Sequence, residues 1–294
     1  MHWRAVSAGT LRVDLDGATA TLTLDNPAMR NAVTEVMWQQ FEAVLERLDA
    51  NDAVKVLVVR GAGTHFSAGA DISAVERILH DPATGHNDGG DITIAEEALA
   101  RFRKPTIAAI DGYCVGGGWQ IAGACDIRLA SENAIFGITP ARIGIVYPLS
   151  GIRRLVQLVG PATAKYLLFS GDFINAADGV RLGLATKMLG IATFWEDVAA
   201  FANHLGRRSQ FSIQSQKDLI NTISGGAPEA DLAERNAYWQ REMAAAEDPR
   251  LGIAAFLAKE APQFSWLRPS VDLSVQQQEG PGRSGAQGPE TRLP

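Results

Sequence analysis

Thr106-Ile107-Ala108-Ala109-Ile110-Asp111-Gly112-Tyr113-Cys114-Val115-Gly116-Gly117-Gly118 passes from a short run with no charged side chain, through a turn dipeptide, to a glycine triplet. A five-residue run lacking alternation predicts a strand covered on both faces, as in a parallel sheet. The triplet is expected to open a helix that continues through Cys125. Upstream, Val54 to Val59 is a second such run, broken only by Lys55 and ending near Gly61-Ala62-Gly63. Downstream, Ile127 to Leu129 continues as strand. Leu11 to Asp16 and Ala18 to Leu24 alternate around Asp16-Gly17 and predict a hairpin. Met37, Phe41, Val44, Leu45 and Leu48 recur at helical spacing behind Thr34, a suitable N-cap. Strands and helices therefore alternate through the first 140 residues, which predicts an α/β core. From Leu149 onward the patterns are nearly all helical, at Leu155 to Val159, Ala162 to Leu168, Phe194 to Leu205 and Leu232 to Met243. No repeat of fixed period occurs.

The 294 residues are 46% hydrophobic, enough for a large core. A net charge of −6, with the 27 basic residues dispersed, leaves no footprint for nucleic acid. The two cysteines, Cys114 and Cys125, lie in apolar surroundings without C-x-x-C spacing, so they read as buried thiols of a reducing compartment. Met1-His2-Trp3-Arg4 leads into no apolar signal segment, and no run of about 18 apolar residues follows. The expectation is a soluble cytoplasmic protein with no membrane partner. Three regions are expected: a core over 1–200, a helical region over 201–267, and a tail over 268–294 whose Gln, Gly, Pro, Ser and Arg content reads as disorder. His80 to Ile92, polar and glycine-rich, is expected to be a long mobile loop.

Two turns carry the chemistry. Phe66-Ser67-Ala68-Gly69-Ala70-Asp71-Ile72 follows one buried strand and leads into a helix beginning near Asp71; Gly116-Gly117-Gly118 stands between another strand and helix. Small residues let a ligand reach the backbone. Amide groups at a helix start lack intrahelical acceptors and sit at the positive end of the dipole, so they suit a polarised or anionic oxygen. Two such turns could aim two donors at one atom.

These turns, together with Leu24-Asp25-Asn26-Pro27, Asn31-Ala32, Lys104-Pro105, Cys125-Asp126-Ile127, Phe136-Gly137 and Gly144, resemble the crotonase (enoyl-CoA hydratase/isomerase) superfamily over roughly Thr10 to Phe264. The resemblance implies a spiral of ββα units with a helical C-terminal trimerisation region, an acyl-CoA substrate, and homotrimers or dimers of trimers. It implies that the N–H groups of Ala70 and Gly117 form an oxyanion hole for the thioester carbonyl. It further implies that Ala68, Asp71 and Ile72 flank the adenine and pantetheine, that Met29 and Arg30 lie near the nucleotide, and that Phe256 and Lys259 reach a neighbouring subunit's CoA. No metal, nicotinamide or flavin signature occurs; coenzyme A enters as part of the substrate.

The sequence departs from the family's hydratases where they carry two glutamates. Gln120 takes the first position, and an amide cannot exchange a proton near neutral pH. Pro140 takes the second. The stretch Thr139-Pro140, Gly144, Tyr147 and Gly151 resembles the methylmalonyl-CoA decarboxylase branch, in which a tyrosine at this spacing faces the substrate carboxylate, although Ala70 stands where that branch has histidine. Malonyl-type decarboxylation is therefore the first expectation. A hydratase or isomerase with other acid/base residues, and a catalytically silent acyl-CoA binding subunit, are the alternatives. His80, His86, Asp91 and Glu96 are candidate bases, with surface solvation expected for all four; Trp119 and Arg142 are candidates for acyl specificity, with core packing the competing expectation for Trp119.

Overall fold

The computed structural model describes residues 9–268. A hairpin of β1 (Thr10–Asp16) and β2 (Thr19–Asp25) begins the chain, followed by α1 (Glu35–Ala50), whose N-cap Thr34 accepts from the Met37 amide. Strand β3 (Val56–Gly61) pairs parallel with β2, α2 (Val75–Leu79) and α3 (Gly90–Arg101) cover the sheet, and β4 (Thr106–Ile110) returns parallel to β3. From here each return to the large sheet first visits a second one. Strand β5 (Tyr113–Val115) and α4 (Gly117–Ala124) precede β6 (Ile127–Ser131), and β7 (Ile135–Gly137) precedes α5 (Pro140–Ile143) and α6 (Leu149–Ser170). Then come β8 (Phe173–Asn175), α7 (Ala176–Leu182) and β9 (Lys187–Leu189). The large sheet runs β1-β2-β3-β4-β6-β9 and the small one β5-β7-β8. The chain ends in α8 (Phe194–Gly206), α9 (Gln210–Ser224), α10 (Glu229–Ala245) and α11 (Asp248–Ala258).

The larger core lies between the large sheet and α1, α3, α4 and the small sheet; Trp38, Phe41, Phe66, Ile78, Trp119 and Phe136 are its largest members. Strands β3, β4 and β6 also bury residues on their other face, where Val56, Val58, Ile107, Ala109 and Leu129 meet Phe194, Val198 and Ala202 of α8. That second cover explains the unbroken apolar runs. Helix α8 thus spans residue 200, the expected core boundary.

Three expectations are corrected. Strands β8 and β9 interrupt the region read as nearly all helical, because three-residue strands are too short to show a period. The loop after α2 ends at Gly89, not Ile92: the Gly89 carbonyl accepts from Ile92 and Thr93 as α3 starts, and Ile92 is buried. Within that loop Asp81 pairs with His86 in an antiparallel bridge. Glu96 is not solvated but buried in α3. The tail beyond Arg268 lies outside the described residues. The two helical patterns either side of Gly160-Pro161 are two helical segments of α6 that meet at a break at Gly160 (φ 76°, ψ 163°), since proline denies the ladder an N–H and disfavours helical backbone in the residue before it.

Among the described residues no helix is long and apolar enough to cross a membrane, and no cluster of three His, Cys, Asp or Glu side chains could hold a metal ion. Both thiols are buried, and burial pushes Cys125 up to about 12 and Cys114 well above the ordinary thiol range. Thiolate is the reactive form, so neither cysteine is expected to react with iodoacetamide in the folded protein at pH 8, while both react after unfolding in urea; mass spectrometry of each sample checks this.

Candidate active site

The two small-residue turns come together because the backbone after β3 extends the small sheet. Ser67 bridges Cys114 of β5 in parallel register, donating to the Tyr113 carbonyl at 2.8 Å while its own carbonyl accepts from Val115 at 3.0 Å. On its other side the turn is held by the segment before α1. Ala68 N–H donates to Arg30 at 2.9 Å, Asp71 N–H to Val33 at 3.0 Å, and the Gly69 carbonyl accepts from Val33 at 2.8 Å. The Ser67 hydroxyl donates to the Asn31 carbonyl at 2.7 Å and accepts the Gly69 N–H at 3.1 Å. Asn31, fully buried, ties the approach: its side-chain amide donates to Ala62 and His65, and its carbonyl Oδ1 accepts from Asn26.

From Ser67 to Asp71 every amide but one is therefore engaged. Neither Ala70 N–H nor Gly117 N–H donates to a turn or loop carbonyl among the described residues. Gly117 opens α4, so its N–H has no intrahelical acceptor either. The two amides are neighbours. A Cβ built on Gly117 would stand 3.2 Å from the Ala70 nitrogen, and one on Gly69 would stand 3.2 Å from the Gly117 nitrogen and 2.8 Å from the Val115 carbonyl oxygen. Gly69 has φ +102° and Gly116 has φ +52°, ψ −117°, conformations that admit glycine and turn the two amides out of the surrounding ladders.

The turn at Ala68 is exposed, and Ile72 is 62% exposed beside exposed Met29 and Arg30. These residues form one edge, joined by the Ala68–Arg30 and Asp71–Val33 bonds. The Asp71 carboxylate is occupied by Ser73, accepting from both its N–H and its hydroxyl, and the Arg30 guanidinium lies 5.3 Å from the centre of the Tyr113 ring. Phe256, 82% exposed, and Lys259, at the left-handed C-cap of α11, are placed in the C-terminal helices with no hydrogen bond to either turn.

Behind the turns lies a buried polar cluster. Gln120, one turn into α4, donates through Nε2 to Glu96 at 3.0 Å; the same carboxylate accepts from the Ser150 hydroxyl at 2.7 Å and from Arg154 Nε at 2.7 Å. Both Glu96 and Gln120 are 1% exposed. Helices α3, α4 and α6 each contribute to this cluster, which fixes the Gln120 side-chain amide. Pro140 is buried at the start of α5. Trp119 is fully buried in the core, its indole N–H without a hydrogen-bond partner among the described residues. Arg142 instead stacks over Phe173, 4.7 Å from the ring centre.

Tyr147, expected to face a substrate carboxylate, is buried and donates its hydroxyl proton to the Gly116 carbonyl at 2.9 Å. Burial, reinforced by the Glu96 carboxylate, pushes its phenol well above the usual range, so it remains a neutral donor. Gly151 of α6 packs on both Tyr147 and Gln120: a Cβ there would lie 2.8 Å from Tyr147 Cε1 and 2.6 Å from Gln120 Nε2. Gly151→Ala is expected to lower stability by about 1–3 kcal/mol through overpacking, measured by urea unfolding.

His65 accepts the Tyr113 N–H at 3.3 Å and shapes the approach to β5, while Asp126 accepts from Thr106 and from Lys217, a structural tie. His80 and His86 are exposed; Asp91 is half-buried and accepts from Gln39, with burial raising its carboxyl. The depth of Glu96 and its partners Ser150 and Arg154 do not follow from the sequence expectations. A signal for Glu96 was present, since it stands four residues after Ile92 and three before Leu99, on the stripe that α3 buries.

Residues 15–266 match the Enoyl-CoA hydratase/isomerase family. A probable enoyl-CoA hydratase of Rhizobium meliloti is 32% identical, covering 88% of this chain and 99% of its own. The 2,3-dehydroadipyl-CoA hydratase of Escherichia coli K12 is 33% identical over 83% of this chain and 93% of its own. A crystal structure of an enoyl-CoA hydratase/isomerase family member superposes with a TM-score of 0.83 at 39% identity, covering 90% of this chain and 99% of that one. With its two sheets, helical C-terminal region and paired small-residue turns, the chain has the α/β crotonase fold and belongs to the enoyl-CoA hydratase/isomerase family, whose members act on acyl-CoA.

Proposed function

We propose that the protein holds the thioester oxygen of an acyl-CoA between the N–H groups of Ala70 and Gly117 and carries its substrate through the enolate, with malonyl-type decarboxylation as the reaction. The adjacent, unengaged amides carry this reading. Donors fixed before the charge develops need no reorganisation as it forms, which is the usual basis of oxyanion stabilisation. The choice of reaction follows from Gln120 and Pro140, which leave no proton-exchanging side chain at the two hydratase positions. Decarboxylation needs none to begin: the bond from the carboxylate to Cα breaks, its electrons pass into the enolate, CO2 leaves, and water returns a proton to Cα. The edge of Met29, Arg30, Ala68 and Ile72 is assigned to the CoA moiety. Assembly as a homotrimer or dimer of trimers belongs to this proposal, supported by the exposed Ile253, Phe256 and Leu257 on α11, with Phe256 and Lys259 reaching the neighbouring copy's CoA.

A second reading, hydration or isomerisation of an enoyl-CoA, is favoured by the names of the relatives and by the Glu96 carboxylate standing 3.0 Å from Gln120 Nε2. Against it, that carboxylate is already engaged by Arg154, Ser150 and Gln120. Incubating the protein separately with methylmalonyl-CoA and crotonyl-CoA, followed by mass spectrometry, separates the readings. Propionyl-CoA formation is the expected result, hydration of crotonyl-CoA would select the second reading, and CoA binding without turnover would indicate a silent binding subunit.

A further inference from the structure

The peptide joining Gly116 to Gly117 is trans, so its N–H and its carbonyl point to opposite sides. On one side is the Gly117 N–H assigned to the thioester oxygen. On the other, the Gly116 carbonyl accepts from the Tyr147 hydroxyl at 2.9 Å and from the Gln120 N–H at 3.2 Å, while the Gly116 N–H donates to Gly137 at 2.8 Å. We infer that Tyr147 is a positioning residue of the oxyanion hole, holding and polarising the Gly116–Gly117 peptide from behind; the inference rests on the proposed role of the Ala70 and Gly117 amides. Two physical effects combine. A hydrogen bond accepted by a peptide carbonyl draws charge from the same peptide's N–H and strengthens it as a donor, by roughly 10–30% per bond. The bond also fixes the rotation about Gly116, whose glycine backbone could otherwise turn the Gly117 N–H away at little steric cost, for a Cβ there would meet nothing within 4 Å. The ring can hold its place because it is buried and packed against Gly151. Tyr147 thereby acts on the substrate through the backbone rather than by touching it.

The test is the infrared carbonyl band of bound butyryl-CoA carrying 13C at the thioester carbon. In the unmodified protein the band is expected below its solution position; if it is not, the assignment of the two amides fails, independently of Tyr147. In Tyr147→Phe the band is expected to return part of the way, with the Kd of butyryl-CoA within about threefold and kcat on any turned-over acyl-CoA lowered about three- to tenfold at unchanged KM, the scale of one neutral hydrogen bond. A fluorinated tyrosine at 147, a stronger donor that keeps the ring and the fold, is expected to move the band further down. A lowered band in the unmodified protein that stays at the same position in both variants would overturn the inference, since a merely structural tyrosine would alter thermal unfolding and leave the carbonyl unmoved.

Discussion

Gly117→Pro is expected to lower kcat by about 10²–10³ while binding of free CoA is retained, because it deletes one of the two donors to the thioester oxygen and nothing that CoA itself would touch. Residue 117 is the first of α4, where proline is tolerated since the N–H it removes has no helical acceptor. The substitution also adds a Cβ, 3.1 Å from Trp38 Cζ2 and 3.2 Å from the Ala70 nitrogen, close enough that the neighbours must yield. Gly117→Ala adds the same Cβ and keeps the donor, so it measures the crowding from that carbon. The difference between the two variants is the effect of replacing the N–H by the ring Cδ, expected at about a hundredfold in kcat. Equal kcat values for the alanine and proline variants, with CoA still bound, would remove Gly117 from the oxyanion hole.

Glu96→Ala carries the largest expected loss of stability, about 3–5 kcal/mol by urea unfolding. The carboxylate is 1% exposed and holds three donors, so little solvent screens the pair, and its loss leaves the Arg154 guanidinium, 19% exposed, without its shortest partner. Glu97 remains 3.2 Å from Arg154, which places the expected cost toward the lower end. Replacing both partners, Glu96→Leu with Arg154→Leu, is expected to recover most of that loss, because apolar groups need no compensating charge. A single-variant loss under about 1 kcal/mol would show that the cluster is not the tie between α3, α4 and α6 that its geometry describes. The variant also frees Gln120 Nε2 from its acceptor, so any acyl-CoA turnover that needs the amide held in one orientation falls with it.

Much of this architecture was legible in the chain. The runs at Val54 to Val59 and Thr106 to Ile110 became β3 and β4, the Thr34 cap and the stripe from Met37 to Leu48 became α1, and the glycine triplet became the entry to α4. Burial leaves a periodic imprint on sequence when an element is long enough to repeat it. Strands β8 and β9 left none, and Glu96 was misread because a carboxylate on a buried stripe looks like a surface residue until its cation, Arg154, is folded against it. The polarity of a side chain reports its burial only when its partners are known.

The two turns at Ala70 and Gly117 show the same division. Their composition by itself determined that a ligand could approach the backbone there, since glycine and alanine leave the amides uncovered. Which amides remain free to meet it was decided by the tertiary structure. Ser67 pairs with β5, Ala68 and Asp71 pair with the segment before α1, and Gly69 is taken by a serine hydroxyl, so that Ala70 alone in that turn is left unengaged beside Gly117. The Tyr147 hydroxyl likewise meets the Gly116 carbonyl only because the segment between α5 and α6 folds against the start of α4. An amide's partner is chosen by which strand comes alongside it, and that is a non-local property no local stretch of residues can encode.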